Sequence, residues 1–158
     1  MKRASLITFT LFLFAIIYSS CKDDIYMDWK LQNERWYATL KDSLNNDTLF
    51  HKTKSGLYYK VIHQGFQRQP DANSNVLLNI KGTLIDGSSF FPTTNIELEM
   101  SNSSYIPAGL QEGLKKMNGG GWYIFYVPSK IGFDTISTDH SRPPYSLLKY
   151  DVKLVSSY

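Results

Sequence analysis

The side chains able to carry out covalent or metal chemistry are few and scattered in this sequence. The three histidines, His51, His63 and His140, share no metal-ligand spacing, and the only cysteine is Cys21. The serines stand in turn contexts without the G-x-S-x-G elbow of a nucleophile. The glycine run at 119–121 follows a predicted helix, so it predicts a helix stop and not a phosphate loop. These patterns predict a protein that works without a metal ion or another cofactor.

Cys21 stands at the end of an export signal. Two cations at 2–3 precede an apolar stretch at 4–18, which is shorter than the roughly 20 residues of a spanning helix. Small residues then lead into Cys21, which resembles a bacterial lipobox with Tyr18 in place of the usual branched residue. We expect a signal peptide at 1–20 and a lipoprotein anchored through diacylglyceryl and further acyl chains, such as palmitate, on Cys21. A cleaved soluble protein and an uncleaved anchor helix are the alternatives.

The composition of the mature chain gives no indication of nucleic acid as a partner. Two of the cations behind the net charge of +3 lie in the signal peptide, so the mature chain is close to neutral. The remaining length is that of one domain. Aromatic residues make up 15% of the sequence, and most of them follow residue 55. They are numerous enough to build a good core or to line an aromatic pocket.

Hydrophobic periodicity predicts one helix ahead of a mostly β domain. Asp28 is the predicted cap of a helix over 29–44, whose apolar residues recur at helical spacing: Trp29, Trp36, Leu40 and Leu44. Strand patterns cover 57–63, 76–84, 96–100, 122–127 and 148–154. A second, short helix is predicted at 107–117, and it is the only cover that the sequence offers for the sheet. We therefore predict an α+β fold, an antiparallel sheet curled around one short helix, with an extra N-terminal helix.

Five segments of the sequence resemble FKBP-type peptidyl-prolyl cis-trans isomerases. They are 55–62 (SGLYYKVI), 79–87 (NIKGTLIDG), 109–117 (GLQEGLKKM), 126–128 (YVP) and 143–154 (PPYSLLKYDVKL). The segments follow the order of the family with compatible spacing, and the leading helix looks like that of Bacteroidetes FKBP lipoproteins. We therefore predict three regions: a signal peptide at 1–20, a tether with an amphipathic helix at 21–54, and, as the resemblance implies, an FKBP-like domain at 55–158.

The activity that the resemblance implies requires no nucleophile. An X-Pro bond prefers the trans form by only about 0.5–1 kcal/mol, whereas its rotation barrier is about 18–20 kcal/mol. The twisted transition state has lost amide resonance and has a less polar carbonyl, so an apolar pocket favours it over the planar ground state. The implied protein is an isomerase, or rotamase, that acts on X-Pro bonds of exported proteins as a folding helper. Its partners would be proline-containing substrates and, through the lipid, a membrane of the cell envelope.

The resemblance also places the residues of a proline pocket. Phe90 falls on a pocket phenylalanine after the Asp-Gly turn, and Tyr150 falls on the pocket phenylalanine of the last strand. Ile106 falls on the isoleucine whose backbone N–H binds a substrate carbonyl. Phe133 falls where a tyrosine usually donates a hydroxyl hydrogen bond. We take these four residues as the candidate catalytic residues.

Three further residues are candidates for substrate binding. Ile80 replaces a tyrosine of the second strand, Ile96 lies where another pocket aromatic is common, and Leu110 replaces the tryptophan that floors the pocket. Phe91 replaces an aspartate, and the segment 106–109 is one residue longer than usual. The pocket stays apolar but loses polar groups. A degenerate FKBP-fold lipoprotein, which binds proline-containing segments or serves as a structural envelope subunit through its leading helix, is therefore the alternative to the enzyme.

Overall fold

A computed structural model describes the chain over residues 25–101, 106–136 and 141–158. The predicted signal peptide at 1–20 and the lipidation site Cys21 lie outside these ranges and stay predictions. Within the described ranges, no helix combines the length and the apolar character needed to cross a membrane.

Over these ranges the chain forms two helices, six strands and a short 3-10 helix. In chain order they are α1 (Met27–Asn46), β1 (Phe50–Lys52), β2 (Tyr58–His63), β3 (Asn75–Thr83), β4 (Ser89–Glu99), α2 (Ala108–Leu114), β5 (Trp122–Val127), the 3-10 helix (Ser129–Ile131) and β6 (Leu148–Ser157). The strands form a single sheet in the order β1-β2-β5-β6-β3-β4, and every neighbouring pair is antiparallel. The last strand of the chain therefore lies inside the sheet, between β5 and β3.

The short helix α2 packs on one face of the sheet, which we call the inner face. Phe125 of β5 lies against Gly113, and Val127 lies against Gly109. A methyl group on Gly113 would come within 2.6 Å of Cε1 of Phe125, so glycine allows the helix and the strand to approach closely here. The predicted antiparallel sheet curled around one short helix is thus confirmed.

The boundaries of α2 lie inside the predicted range 107–117. Pro107 keeps an extended backbone, so the helix begins at Ala108. After Leu114 the chain continues in a tighter turn, in which the Met117 N–H donates to the Leu114 carbonyl. The apolar periodicity at 107–117 is therefore longer than the α-helix that forms there.

The leading helix α1 packs on the opposite, outer face of the sheet. Because side chains alternate along β5, Tyr126 points away from the face on which Phe125 meets α2. The Trp36 ring lies 5.7 Å from the Tyr126 ring, and Leu40 is buried in the same cluster as Tyr58. The expectation that α2 alone covers the sheet is therefore wrong, since α1 covers part of the outer face.

Three hydrogen bonds fix α1 to the rest of the fold. Trp29 donates through Nε1 to the Ser146 hydroxyl over 3.0 Å. Asn33 accepts from the backbone N–H of Leu147 over 2.7 Å, in a buried position. The Tyr37 hydroxyl donates to the carbonyl of Gly56 over 2.7 Å. The first two bonds hold the chain just before β6.

The start of α1, one unpredicted strand and the start of another strand differ from the prediction. The helix begins at Met27, so Asp28 lies in its first turn and does not cap it. The strand β1 was not predicted, because its three residues show no periodicity of their own and pair only with β2. It lies in the segment 21–54 that the sequence analysis assigns to the tether and helix. Strand β4 begins at Ser89 and not at residue 96, and its ladder with β3 is irregular near Pro92.

Candidate functional site

All seven candidate pocket residues lie in, or against, one apolar cluster on the inner face. Four of them are at most 3% exposed: Ile80, Ile106, Leu110 and Tyr150. The other three are half-buried and pack against that cluster: Phe90, Ile96 and Phe133. The sheet supplies four of the seven, α2 and the segment before it supply two, and the loop after the 3-10 helix supplies one. Residues far apart in the sequence are thus brought to one place.

Gly82 makes room for the aromatic pair in this cluster. Gly82 stands opposite Tyr150 in the β3–β6 ladder, and Tyr150 stands opposite Phe125 on its other side. The Phe90 ring lies over Gly82, so a methyl group there would be only 2.5 Å from Cζ of Phe90. The Phe90 and Tyr150 rings meet edge to face, with centroids 5.4 Å apart at 83°. Gly82 thus interrupts the apolar pattern of β3, and the Phe90 ring occupies the space that a side chain at this position would take.

Ile106 and Leu110 form the α2 side of the cluster. Ile106 is 1% exposed and directly precedes the N-cap residue Pro107. Its carbonyl accepts a hydrogen bond from Nε2 of Gln111 over 3.2 Å, which ties the entry segment to the helix. Leu110 is 2% exposed, as expected for a residue on the buried face of a short helix. These contacts fix the backbone whose N–H is the candidate donor to a substrate carbonyl.

Phe133 and Arg142 form the loop side of the cluster. The guanidinium carbon of Arg142 lies 3.6 Å from the centroid of the Phe133 ring, which is a close cation–π contact. Arg142 is only 9% exposed, which is rare for arginine. Arg142 was not predicted as a site residue, since its one local signal is that it directly precedes Pro143-Pro144. A buried charge next to the candidate pocket is therefore a finding of the structure.

Burial dominates the electrostatics of Tyr150. It raises the pKa of the phenol far above its ordinary value of 10.0, and the positive charge of Arg142 lowers that pKa in part. The phenol therefore keeps its proton at neutral pH and can donate a hydrogen bond.

No cluster of His, Cys, Asp or Glu that could hold a metal ion occurs in the ranges that the structure describes.

Comparison with known proteins gives one family. The family model of FKBP-type peptidyl-prolyl cis-trans isomerases matches residues 67–155. An FkpA protein of Neisseria meningitidis is 33% identical over 130 residues, which are 81% of this chain and 47% of that protein. The outer membrane protein MIP of Legionella longbeachae is 31% identical over 104 residues, which are 65% of this chain and 44% of that protein.

The comparison of folds agrees with the comparison of sequences. The crystal structure of FkpA from Escherichia coli superposes with a TM-score of 0.76 at 24% identity, covering 96% of this chain and 71% of that chain. This chain spans less than half the length of the two relatives described above. The match of the family model covers more than half of the chain. The chain belongs to the FKBP-type peptidyl-prolyl cis-trans isomerase family.

Proposed function

We propose that this protein is a peptidyl-prolyl cis-trans isomerase that helps exported proteins to fold. The observation that supports this most is the clustering of the seven candidate residues on the inner face of the sheet. An isomerase needs a pocket that takes the proline ring out of water and holds the flanking carbonyls in a bent geometry. The apolar cluster supplies the first requirement, and the fixed backbone at Ile106 supplies the second.

Each of the four candidate catalytic residues has a separate role in this proposal. Phe90 and Tyr150 form the walls against the proline ring, and their edge-to-face packing keeps both rings in place. Ile106 donates its backbone N–H to a substrate carbonyl, and Phe133 covers the pocket from the loop. The reaction has no covalent intermediate, because the pocket acts only by stabilising the twisted amide. Each 1.36 kcal/mol of that stabilisation corresponds to tenfold in rate.

Three buried or half-buried aliphatic residues surround these four in the proposal. Ile80 and Ile96 line the sheet side, and Leu110 lies beneath from α2. None of the three side chains carries a polar group, so the pocket that they line offers water no hydrogen-bond partner and excludes it. We assign them to substrate binding.

Refolding of a protein with a slow X-Pro phase tests the proposal. The full chain, purified in detergent, should accelerate that phase, and Phe90→Ala should remove about tenfold or more of the acceleration. An unchanged slow phase in the presence of the wild-type protein would contradict the enzymatic activity. Binding of the unfolded substrate is measured in parallel, so that binding without turnover is recognised.

Binding of proline-containing segments without turnover is the second candidate function. A cleft of about 340 Å³ lies where α1 meets both ends of the loop at 129–146, and none of the seven candidate residues lines it. Its apolar walls include Tyr37, Pro128, Tyr145 and Leu147. The absence of a hydroxyl on Phe133 also favours this candidate, since the catalytic hydrogen bond expected there cannot form.

A structural role through α1 receives less support. The face of α1 that carries Trp29 and Trp36 is used within the chain, where Trp29 is bonded to Ser146 and Trp36 packs on Tyr126. An envelope partner would have to dock elsewhere on the helix.

An envelope location through a lipid on Cys21 is part of the proposal. Its support is the lipobox-like sequence before Cys21 and the similarity to a protein named for the outer membrane. Such a tether would hold the isomerase on the periplasmic or the surface side of the outer membrane. Mass spectrometry of the full chain made in a bacterium should give a lipid-modified N-terminal cysteine, and Cys21→Ser should lose the modification. An unmodified wild-type chain would contradict the anchor.

A further inference from the structure

Arg142 connects the residues of the candidate pocket. On one side, its guanidinium stacks on Phe133 at 3.6 Å. On the other side, it is close enough to Tyr150 for its charge to act on the phenol. Tyr150 in turn meets Phe90 edge to face. Phe90, Tyr150, Arg142 and Phe133 therefore lie near one another, and Arg142 carries the permanent charge among the four.

The chemistry of this position is unlike that of a surface arginine. A guanidinium stays protonated at every accessible pH, and it is more weakly hydrated than an ammonium group. Stacking uses its face, while its N–H donors point outward in its plane. Because the surrounding wall is apolar, the field of the charge is screened less than it would be on an open surface.

We propose that Arg142 is a specificity-determining residue, which makes the pocket favour X-Pro segments with an acidic side chain next to the proline and disfavour those with a basic one. This inference rests on the proposed function, since it concerns the substrate class of the same site. A carboxylate beside the proline ring would lie near the guanidinium, whereas a lysine ammonium there would face a like charge.

Asp134 is an acidic residue that directly follows Phe133. It lines the same small hollow as Phe133 and Arg142, and it is exposed. The negative charge of its carboxylate weakens the attraction between Arg142 and a substrate carboxylate. Asp134→Asn should therefore increase the preference for acidic substrates.

The size of the preference follows from Coulomb's law. Two unit charges about 6 Å apart at an effective dielectric constant of about 20, weakened by salt and by the freedom of the substrate side chain, give a preference of roughly tenfold. The preference should shrink in about 1 M salt, where the screening length falls to about 3 Å.

The test uses three peptides that differ only in the residue before proline, which is Glu, Leu or Lys. Dissociation constants and, where turnover occurs, kcat/KM are measured with the full chain in detergent. We expect Glu-Pro to have a dissociation constant about tenfold lower, and a kcat/KM about tenfold higher, than Lys-Pro. Arg142→Leu should remove the difference between Glu-Pro and Lys-Pro, and Arg142→Lys should keep the order of the peptides because it keeps the charge.

A matched control removes a charge of the same kind far from the pocket. Arg68 is exposed and paired with Asp71, and its carbonyl accepts from Ser157, seven residues along β6 from Tyr150, which is about 23 Å of strand. Arg68→Leu should leave the preference unchanged.

Three outcomes would overturn the proposal. The first is a wild-type protein that shows no preference for the acidic peptide, whether all peptides bind equally or none binds. The second is a preference that survives in Arg142→Leu. The third is a loss of preference in Arg68→Leu that equals the loss in Arg142→Leu. If Arg142→Leu fails to fold, Asp134→Asn tests the same charge, and an unchanged preference in that variant would also overturn the proposal. An acidic preference in binding without any turnover would contradict the isomerase activity and support the role of Arg142, so the two failures are distinguishable.

Discussion

Replacing Gly82 with alanine would place a methyl group 2.5 Å from Cζ of Phe90. Heavy atoms in contact normally lie about 3.5–4.0 Å apart, so the Phe90 ring must move by roughly 1 Å or more. The ring is half-buried and can swing outward, and it then loses its edge-to-face contact with Tyr150. Overpacking of this kind costs about 1–3 kcal/mol of stability. Because Phe90 is a proposed wall of the pocket, we expect kcat/KM to fall by about tenfold or more.

Phe90→Ala provides the matched control for this prediction, because it removes the ring that the new methyl group would strike. In the background of Phe90→Ala, Gly82→Ala should cost much less stability than it does in the wild-type chain. Urea unfolding of the two single variants and the double variant measures this coupling, which we expect to be about 1–2 kcal/mol. Equal costs of Gly82→Ala in both backgrounds, or full activity of Gly82→Ala, would refute the reasoning.

Two further predictions concern the helix α1 and the buried phenol. Asn33→Ala leaves the buried N–H of Leu147 without its side-chain acceptor, so the free energy of unfolding in urea should fall by about 1–3 kcal/mol. The exposed neighbour variant Gln32→Ala should stay within about 0.5 kcal/mol of the wild type, and equal effects of the two would contradict the role of Asn33. The folded-state pKa of Tyr150 is raised above its ordinary value of 10.0, so its contribution to stability is complete below pH 10 and is lost as the pH rises further. Urea unfolding between pH 8 and pH 11 should therefore give a steeper alkaline decline for the wild type than for Tyr150→Phe, and equal declines would count against the buried phenol.

The elements with a period of their own were predictable from the sequence. Strands β2, β5 and β6 and the helix α1 carry enough alternating or helical periodicity to be placed within a few residues. The first half of β4 was not predictable, because Pro92 and the irregular ladder beside it break the alternation. The strand β1 depends on its pairing with β2, which is a tertiary effect that local pattern does not contain.

The site was predictable only in part, and for a similar reason. The resemblance to the family places Phe90 and Tyr150, and the glycine that interrupts β3 marks where the Phe90 ring lies. Arg142 could not have been placed, because arginine is a residue of exposed loops in most sequences. Its guanidinium lies over the Phe133 ring, a contact between residues nine positions apart that local pattern does not contain. In the same way, the periodicity of α1 indicates an apolar face but not the face of the sheet that it covers.

Exchange spectroscopy on a short X-Pro peptide tests the central claim most directly, because it measures the interconversion of the cis and trans forms at equilibrium. Catalytic amounts of the wild-type full chain should accelerate the exchange, and Phe90→Ala should lose about tenfold or more of that acceleration. Phe66→Ala should keep it, since Phe66 is 87% exposed and its ring meets His63, which is not a candidate pocket residue. An exchange rate equal to that of the free peptide with the wild-type protein, or equal rates for Phe90→Ala and the wild type, would contradict the proposed isomerase and its pocket.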